Sequence, residues 1–238
     1  MRILAIDSSS LVAGIAVVDD FNTIIEYNVN YKKTHSQTLL PMLDEVKKML
    51  ELDLETLDAI AVSAGPGSFT GLRIGATTAK GLGLALKKPL VAVPTLEGLA
   101  YNMIGTSGYV CPIMDARRNQ VYTGIYQVKH ELEIKKDQCA MDIHELIEQL
   151  NEFGEQVTFL GDGVPVFMED LKKELTVPHF LSPAHMNRQR AASYGALGLC
   201  YAKAGKTIEA AMFHPDYLRQ SQAERERLEA ENGHKENQ

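Results

Sequence analysis

Ala64-Gly65-Pro66-Gly67-Ser68-Phe69-Thr70-Gly71-Leu72-Arg73-Ile74-Gly75 is the stretch on which the fold turns. Ahead of it, Ala59 to Ser63 is a short apolar run with the pattern of a buried strand. Behind it, Phe69 to Leu86 contains no proline and reads as a helix. The intervening glycines suit a backbone that turns sharply or approaches another group closely. Neither familiar phosphate loop fits. A Walker loop needs Lys-Ser/Thr after its last glycine, but Gly71 is followed by Leu72-Arg73; the dinucleotide pattern needs glycine where Thr70 stands. An anion held at the helix N-terminus and a purely structural turn both stay open.

Gly71, Gly75, Ala79 and Gly83 recur every fourth residue and leave a stripe along one helix face almost free of side chains. Each glycine costs a helix interior about 1 kcal/mol relative to alanine, so the stripe predicts a neighbour packed at backbone distance. A sheet or helix of the same domain satisfies that, and so does a helix from another subunit.

With 238 residues, the chain makes one large domain or two of ordinary size. No apolar run reaches the roughly 20 residues that span a bilayer. Met1-Arg2 leads directly into a strand-like segment with no charged-then-apolar leader. Cys111, Cys139 and Cys200 are odd in number and scattered, which fits a reducing cytoplasm rather than a disulfide scaffold or a zinc knuckle. A net charge of −7 removes the electrostatic term that dominates nucleic-acid affinity, so the chain alone is not expected to hold tRNA or DNA.

In order, Arg2-Ile3-Leu4-Ala5-Ile6-Asp7, Val12 to Val18 and Ile24 to Val29 predict three strands in two hairpins. Ser36 reads as the N-cap of a helix with Leu39, Leu43, Val46 and Leu50 on one face and Pro41 in its first turn. The strand at 59–63, the glycine-led helix and a strand at Leu90 to Val93 complete this half. The second half predicts strands at Tyr109 to Met114, Val121 to Val128 and Glu131 to Ile134, then a helix near Ile143 to Leu150. A strand at Val157 to Leu160, a helix near Val164 to Leu175, a short strand at Val177 to Leu181 and a long helix over about Arg188 to Ala204 follow. Twice, then, the order is three strands, helix, strand, helix, strand. Two mixed α/β lobes with a ligand cleft between them are expected. The first lobe takes residues 1–100 with a return helix at about 188–205, and the second takes 101–187. An extension covers 206–221, and the polar 222–238 reads as a frayed helix or disordered tail.

Several residues offer chemistry at the cleft. Asp7, at a strand end before Ser8-Ser9-Ser10, suits a phosphate–metal site or a turn cap. Asp115-Ala116-Arg117-Arg118 holds the matching place in the second half. Its carboxylate suits water-held Mg²⁺, its arginines suit phosphate or an acidic partner, and a solvated turn explains all of them equally. Gly161-Asp162-Gly163 flanks a nucleotide base or, the favoured reading, turns a strand into a helix. The seven histidines include no pair at i, i+4 spacing, and no G-x-S-x-G elbow surrounds Ser68. No nucleophile with its base, and hence no catalytic residue, is evident.

The glycine stretch, extended by Ala79-Lys80-Gly81-Leu82, closely resembles the signature of the TsaB (YeaZ) family. Ile3-Leu4-Ala5-Ile6-Asp7-Ser8-Ser9, Asp115-Ala116-Arg117-Arg118-Asn119-Gln120-Val121-Tyr122 and Pro215-Asp216-Tyr217-Leu218-Arg219 agree with it. The resemblance implies an α/β, two-lobe actin/sugar-kinase/Hsp70-like (ASKHA) fold, each lobe a mixed sheet with flanking helices. It also implies a cytoplasmic role in making threonylcarbamoyladenosine next to the anticodon of tRNA. Such chains work beside a TsaD-type catalytic subunit and a TsaE-type ATPase, reach tRNA through the complex, and form homodimers alone. The helix after the glycine loop contributes to the shared surface, so the resemblance assigns Gly71, Leu72, Arg73, Gly75, Ala76, Ala79 and Gly83 to a partner interface. On that reading Gly75→Leu abolishes the complex and leaves the monomer folded. TsaD-type proteins carry two histidines four apart where this chain has Thr95 and Leu99, so a non-catalytic subunit without metal or tightly bound cofactor is expected. The rival is an enzyme using ATP or ADP with Mg in the cleft; a metallopeptidase comes third.

Overall fold

Ile3, Leu4, Ala5 and Ile6 of the first strand, β1 (Arg2–Asp7), are all fully buried because helices cover both faces of its sheet. A computed structural model describes residues 1–31 and 34–219; the expected tail at 222–238 lies outside the described residues. β1 pairs antiparallel with β2 (Val12–Asp19), which pairs with β3 (Thr23–Asn30). After α1 (His35–Leu50), β4 (Ala59–Ser63) pairs parallel with β1. Helix α2 (Phe69–Leu86) then leads to β5 (Leu90–Val93), giving the order β3-β2-β1-β4-β5. Leu4 and Ile6 pack with Leu39, Met42, Val46, Ala76 and Ala79 of α1 and α2.

A short helix, α3 (Thr95–Ala100), passes to the second lobe. There β6 (Tyr109–Asp115), β7 (Gln120–Val128), β8 (Leu132–Asp142), α4 (Ile143–Phe153), β9 (Val157–Leu160), α5 (Met168–Glu174) and β10 (His179–Leu181) repeat the plan. The strand order is β10-β9-β6-β7-β8. Helix α6 (Ala191–Lys203) returns to the first lobe, where Ala191, Tyr194 and Leu197 cover the Ile3/Ala5 face. Leu96, Leu99 and Ala100 of α3 pack on Val110, Tyr126 and Val128 of the second sheet. The doubled order is as the sequence predicts.

Several boundaries differ, and three of them have a clear local cause. α1 is N-capped by Thr34, not Ser36, so Pro41 lies inside the helix. Burial of Leu39, Met42, Leu43 and Val46 outweighs the hydrogen bond that proline cannot donate. β8 runs on to Asp142 because β7 pairs with it along its length; register shifts around Ile125 blur the alternation that would have marked it. α5 opens only at Met168, because Gly163 to Phe167 close on themselves through Val166 N–H and Phe167 N–H to the Gly163 carbonyl, at 3.0 and 3.1 Å.

Within the chain itself the small-residue stripe is already covered. Gly71, Leu72, Gly75, Ala76, Ala79 and Gly83 are all buried, and they face the chain's own sheet and extension. A Cβ at Gly71 would drive into the Ser8 carbonyl oxygen. One at Gly75 would stand 2.5 Å from Ser8 Oγ, and one at Gly83 would stand 2.7 Å from Ala210 Cβ. The stripe lets α2 sink onto the β1–β2 loop and the 206–213 segment. Of the seven assigned residues only Arg73 is exposed.

Candidate functional site: the cleft between the lobes

A cleft of about 750 Å³ lies between the lobes. Its first-lobe wall is the loop after β1 and the start of α2, with Ser9, Ser10, Ser68 and Phe69. Its second-lobe wall is the β6–β7 hairpin and the turn after β9, with Asp115, Arg117 and Asp162. The segment Asp216–Arg219 closes one side.

The glycine loop is built for contact. Gly65 has φ +113°, and a side chain there would collide with the Asp216 carbonyl oxygen. The Ser68 backbone N–H donates to the Ser9 carbonyl at 2.7 Å, and Ser68 Oγ caps α2 by accepting from Gly71 N–H at 3.3 Å. The loop therefore grips the β1–β2 turn directly.

The predicted cleft residues divide. Asp7 is buried behind the wall rather than on it: its Oδ1 accepts from Ser9 N–H at 3.0 Å, and its Oδ2 has no hydrogen-bond partner among the described residues. Burial pushes its carboxyl above the usual range; the nearby Ser63 and Ser9 hydroxyls temper that rise without making bonds of ordinary geometry. Ser8 is committed to the fold, its Oγ donating to the Gly71 carbonyl at 2.9 Å. Ser9 and Ser10 reach the cleft, and Ser10 Oγ donates to Gln189 Oε1 at 2.9 Å.

In the second lobe, Arg117, Arg118 and Asn119 all take positive φ, which folds the hairpin tightly. Asp115 Oδ1 accepts from Arg117 N–H at 2.7 Å, and Asp162 Oδ1 accepts from Asp115 N–H at 3.3 Å. Burial raises the Asp162 carboxyl. Arg117 lines the cleft, whereas Arg118 stands exposed on the hairpin outside its wall. Gly161 and Gly163 pack against Ile113 in the turn after β9, and the Gly163 N–H donates to the Ile113 carbonyl at 3.0 Å. Asp7 is enclosed, Asp115 and Asp162 each give one oxygen to a backbone N–H, and among the described residues no three His, Cys, Asp or Glu side chains converge. Among them, too, no helix is long and apolar enough to cross a membrane.

Sequence reading missed three participants. His35, passed over for lack of a histidine partner, donates from Nε2–H to the Ser10 carbonyl at 2.7 Å and lines the cleft. Tyr217 stacks on Phe69 with ring centroids 4.7 Å apart, and Arg219 Nη1 donates to the Ala116 carbonyl at 2.7 Å. Their only signal was membership of the Pro215–Arg219 motif, whose position is set by tertiary structure.

The comparisons with known proteins agree with this architecture. A family model described as TsaD, tRNA N6-adenosine threonylcarbamoyltransferase, matches residues 27–227. The tRNA threonylcarbamoyladenosine biosynthesis protein TsaB of Bacillus subtilis is 37% identical over 236 residues, which cover 97% of this chain and 100% of that protein. The solved structure of YeaZ from Pseudomonas aeruginosa superposes with a TM-score of 0.79 at 26% identity, covering 91% of this chain and 99% of that one. An inorganic polyphosphate/ATP-glucomannokinase from Arthrobacter sp. strain KM shares the fold alone, with a TM-score of 0.51 at 12% identity over 85% of this chain and 99% of that one. The two-lobe form is thus the actin/sugar-kinase/Hsp70-like fold, and the chain belongs to the TsaB family of tRNA threonylcarbamoyladenosine biosynthesis proteins.

Proposed function

We propose that this chain is a non-catalytic cytoplasmic subunit that binds and activates a TsaD-type transferase, the subunit that carries threonylcarbamoyl to adenosine beside the tRNA anticodon. The observation that carries this reading is the fate of two side chains in α3. Thr95 is fully buried and its Oγ1 is taken by Gly65 N–H at 3.2 Å, while its carbonyl accepts from Tyr194 O–H at 2.9 Å. Leu99 is fully buried among Leu96, Val110 and Val128. At the positions where TsaD-type relatives hold histidines, one side chain is spent and the other has no lone pair, so neither serves a metal. No tightly bound cofactor is assigned to the chain alone.

The docking face is the outward side of α2 with the start of α1, opposite the sealed stripe. The groove between the two helices measures about 490 Å³ and is lined by Leu40, Phe69, Arg73, Ile74 and Thr77 among others. Leu40 is 55% exposed, and Arg73 lies over the Phe69 ring at 4.1 Å. An apolar floor with an arginine and an aromatic ring at its edge has the make-up of a protein interface. The TsaD-type subunit takes this face in the complex, where the TsaE-type ATPase joins, and a second copy takes it when the chain is alone. tRNA is reached through the partner.

Co-purification with a TsaD-type protein, followed by a tRNA modification assay with and without this chain, tests the reading. A stable complex and modification that needs both chains support it. Calorimetry with Mg-ATP on the isolated chain addresses the rival: tight binding with turnover would make the chain an ATPase in its own right, and a stoichiometric metal found by elemental analysis would favour the metallopeptidase.

A further inference from the structure

The segment Phe213–Arg219 crosses from one lobe to the other. Phe213 is buried in the first-lobe core, and its carbonyl accepts from Lys80 Nζ at 2.9 Å. Asp216 N–H donates to the Ala64 carbonyl at 2.6 Å, so the segment lies on the glycine loop at Gly65. The next residue, Tyr217, packs against the ring of Phe69 at the head of α2. Arg219 then reaches the other lobe and bonds the Ala116 carbonyl in the β6–β7 hairpin. That hairpin is itself closed by Ala116 N–H to the Gln120 carbonyl at 2.9 Å. The Phe69 ring also carries the guanidinium of Arg73 at 4.1 Å; Arg73 lines the groove on α2 and Tyr217 lines the cleft, so the three side chains connect the two.

We propose that Phe213–Arg219 is a latch across the cleft mouth, fastened to the second lobe by Arg219 and steadied from the outward face of α2 through the Arg73–Phe69–Tyr217 stack. Its fastening is light by construction. Tyr217 is 37% exposed, and one charge-assisted hydrogen bond and one ring pair hold its outer half. A few tenfolds of equilibrium therefore separate the latched form from an open one, which places opening within reach of a contact made at Arg73. The latch is a property of the isolated chain and does not depend on the identity of any partner.

Met114 reports on it. The residue lines the same cleft as Asp216–Arg219 and is 4% exposed, whereas Met49 is 73% exposed on α1. Hydrogen peroxide converts methionine to the sulfoxide at a rate set by access. Peptide mass spectrometry of the folded chain gives the Met114 rate against the Met49 rate. Arg219→Ala and Tyr217→Ala are each expected to raise that ratio about fivefold, as loss of one net hydrogen bond or ring pair predicts. Arg219→Lys, which keeps a cationic donor, is expected to restore most of the protection. Arg73→Ala is expected to raise the ratio about twofold, the effect of one exposed cation–π contact. Thermal midpoints within about 2 °C of the parent establish that the variants remain folded. An unchanged ratio in both Arg219→Ala and Tyr217→Ala overturns the latch. An unchanged ratio in Arg73→Ala with the other two raised overturns the link to α2. Neither outcome bears on the docking proposal, which is read from complex formation.

Discussion

Replacing Gly75 with leucine separates the two meanings of a small-residue stripe. If the stripe met a partner, the monomer would keep its stability and lose only its complex. In the structure the added Cβ stands 2.5 Å from Ser8 Oγ, with Val62 Cγ2 at 4.0 Å behind it. Ser8 is fully buried, and its hydroxyl is held by the Gly71 carbonyl, so it has no free direction in which to retreat. Leucine's remaining carbons then have to enter the seam between α2 and the β1–β4 sheet. Overpacking of this kind costs about 1–3 kcal/mol. Stranding the Ser8 hydroxyl costs about 1–3 kcal/mol more. Exchange of a helix-interior glycine returns about 1 kcal/mol. The balance is a loss of about 3 kcal/mol, or about 6–12 °C in thermal midpoint for a chain of this size. Circular dichroism melts of the two proteins measure it directly. A Gly75→Leu chain that melts with the parent while failing to join its partner would refute the burial argument and reinstate the stripe as a docking surface.

Thr77 is exposed on the groove side of α2, so Thr77→Arg is expected to leave the midpoint within about 2 °C while weakening complex formation with the TsaD-type subunit at least tenfold by titration. Glu97 of α3 is buried beside Tyr201 O–H, which donates to it, and burial lifts its carboxyl above the ordinary value. A raised acid binds its proton more tightly folded than unfolded, so stability is full below the unfolded value and falls as pH rises towards the folded one. Glu97→Gln, which still accepts from Tyr201, is expected to raise the midpoint at pH 7 more than at pH 4, and an equal change at both would count against a strained carboxylate. Burial also pushes the Cys111 thiol up to about 12, whereas Cys200 is exposed, so a thiol reagent at pH 8 is expected to label Cys200 first and Cys111 only on unfolding.

The doubled architecture was legible because each central strand is covered on both faces and so appears as an apolar run, as at Ile3–Ile6 and Ala59–Val62. The element order then repeats without any residue-level repeat. The stripe on α2 was visible but ambiguous, since a sheet beneath a helix and a helix beside it both call for missing side chains. The neighbour is identified only by Ser8 and Ala210, which are 63 and 127 residues from Gly71 and Gly83 in sequence. Local pattern cannot bring such partners together. Adjacent Arg117 and Arg118 offered no way to choose between them either; three successive residues at positive φ turn the first to the cleft and the second outwards. Asp7 looked like a wall residue because it ends a strand, yet the turn of Ser8 to Ser10 folds over it.

The groove on α2 and the cleft between the lobes share a wall. His35, Phe69 and Thr70 border both. His35 lies against the Ser10 carbonyl on the cleft side, and Phe69 carries Tyr217 towards the cleft and Arg73 towards the groove. An occupant of the groove that shifts either side chain also alters the lining of the cleft, because the same side chain borders both. On the opposite side of α2, Gly71 and Gly75 seat the helix closely on Ser8, next to the Ser9 and Ser10 that line the cleft. On the proposed function, a partner seated in the groove would therefore touch three residues that also line the cleft.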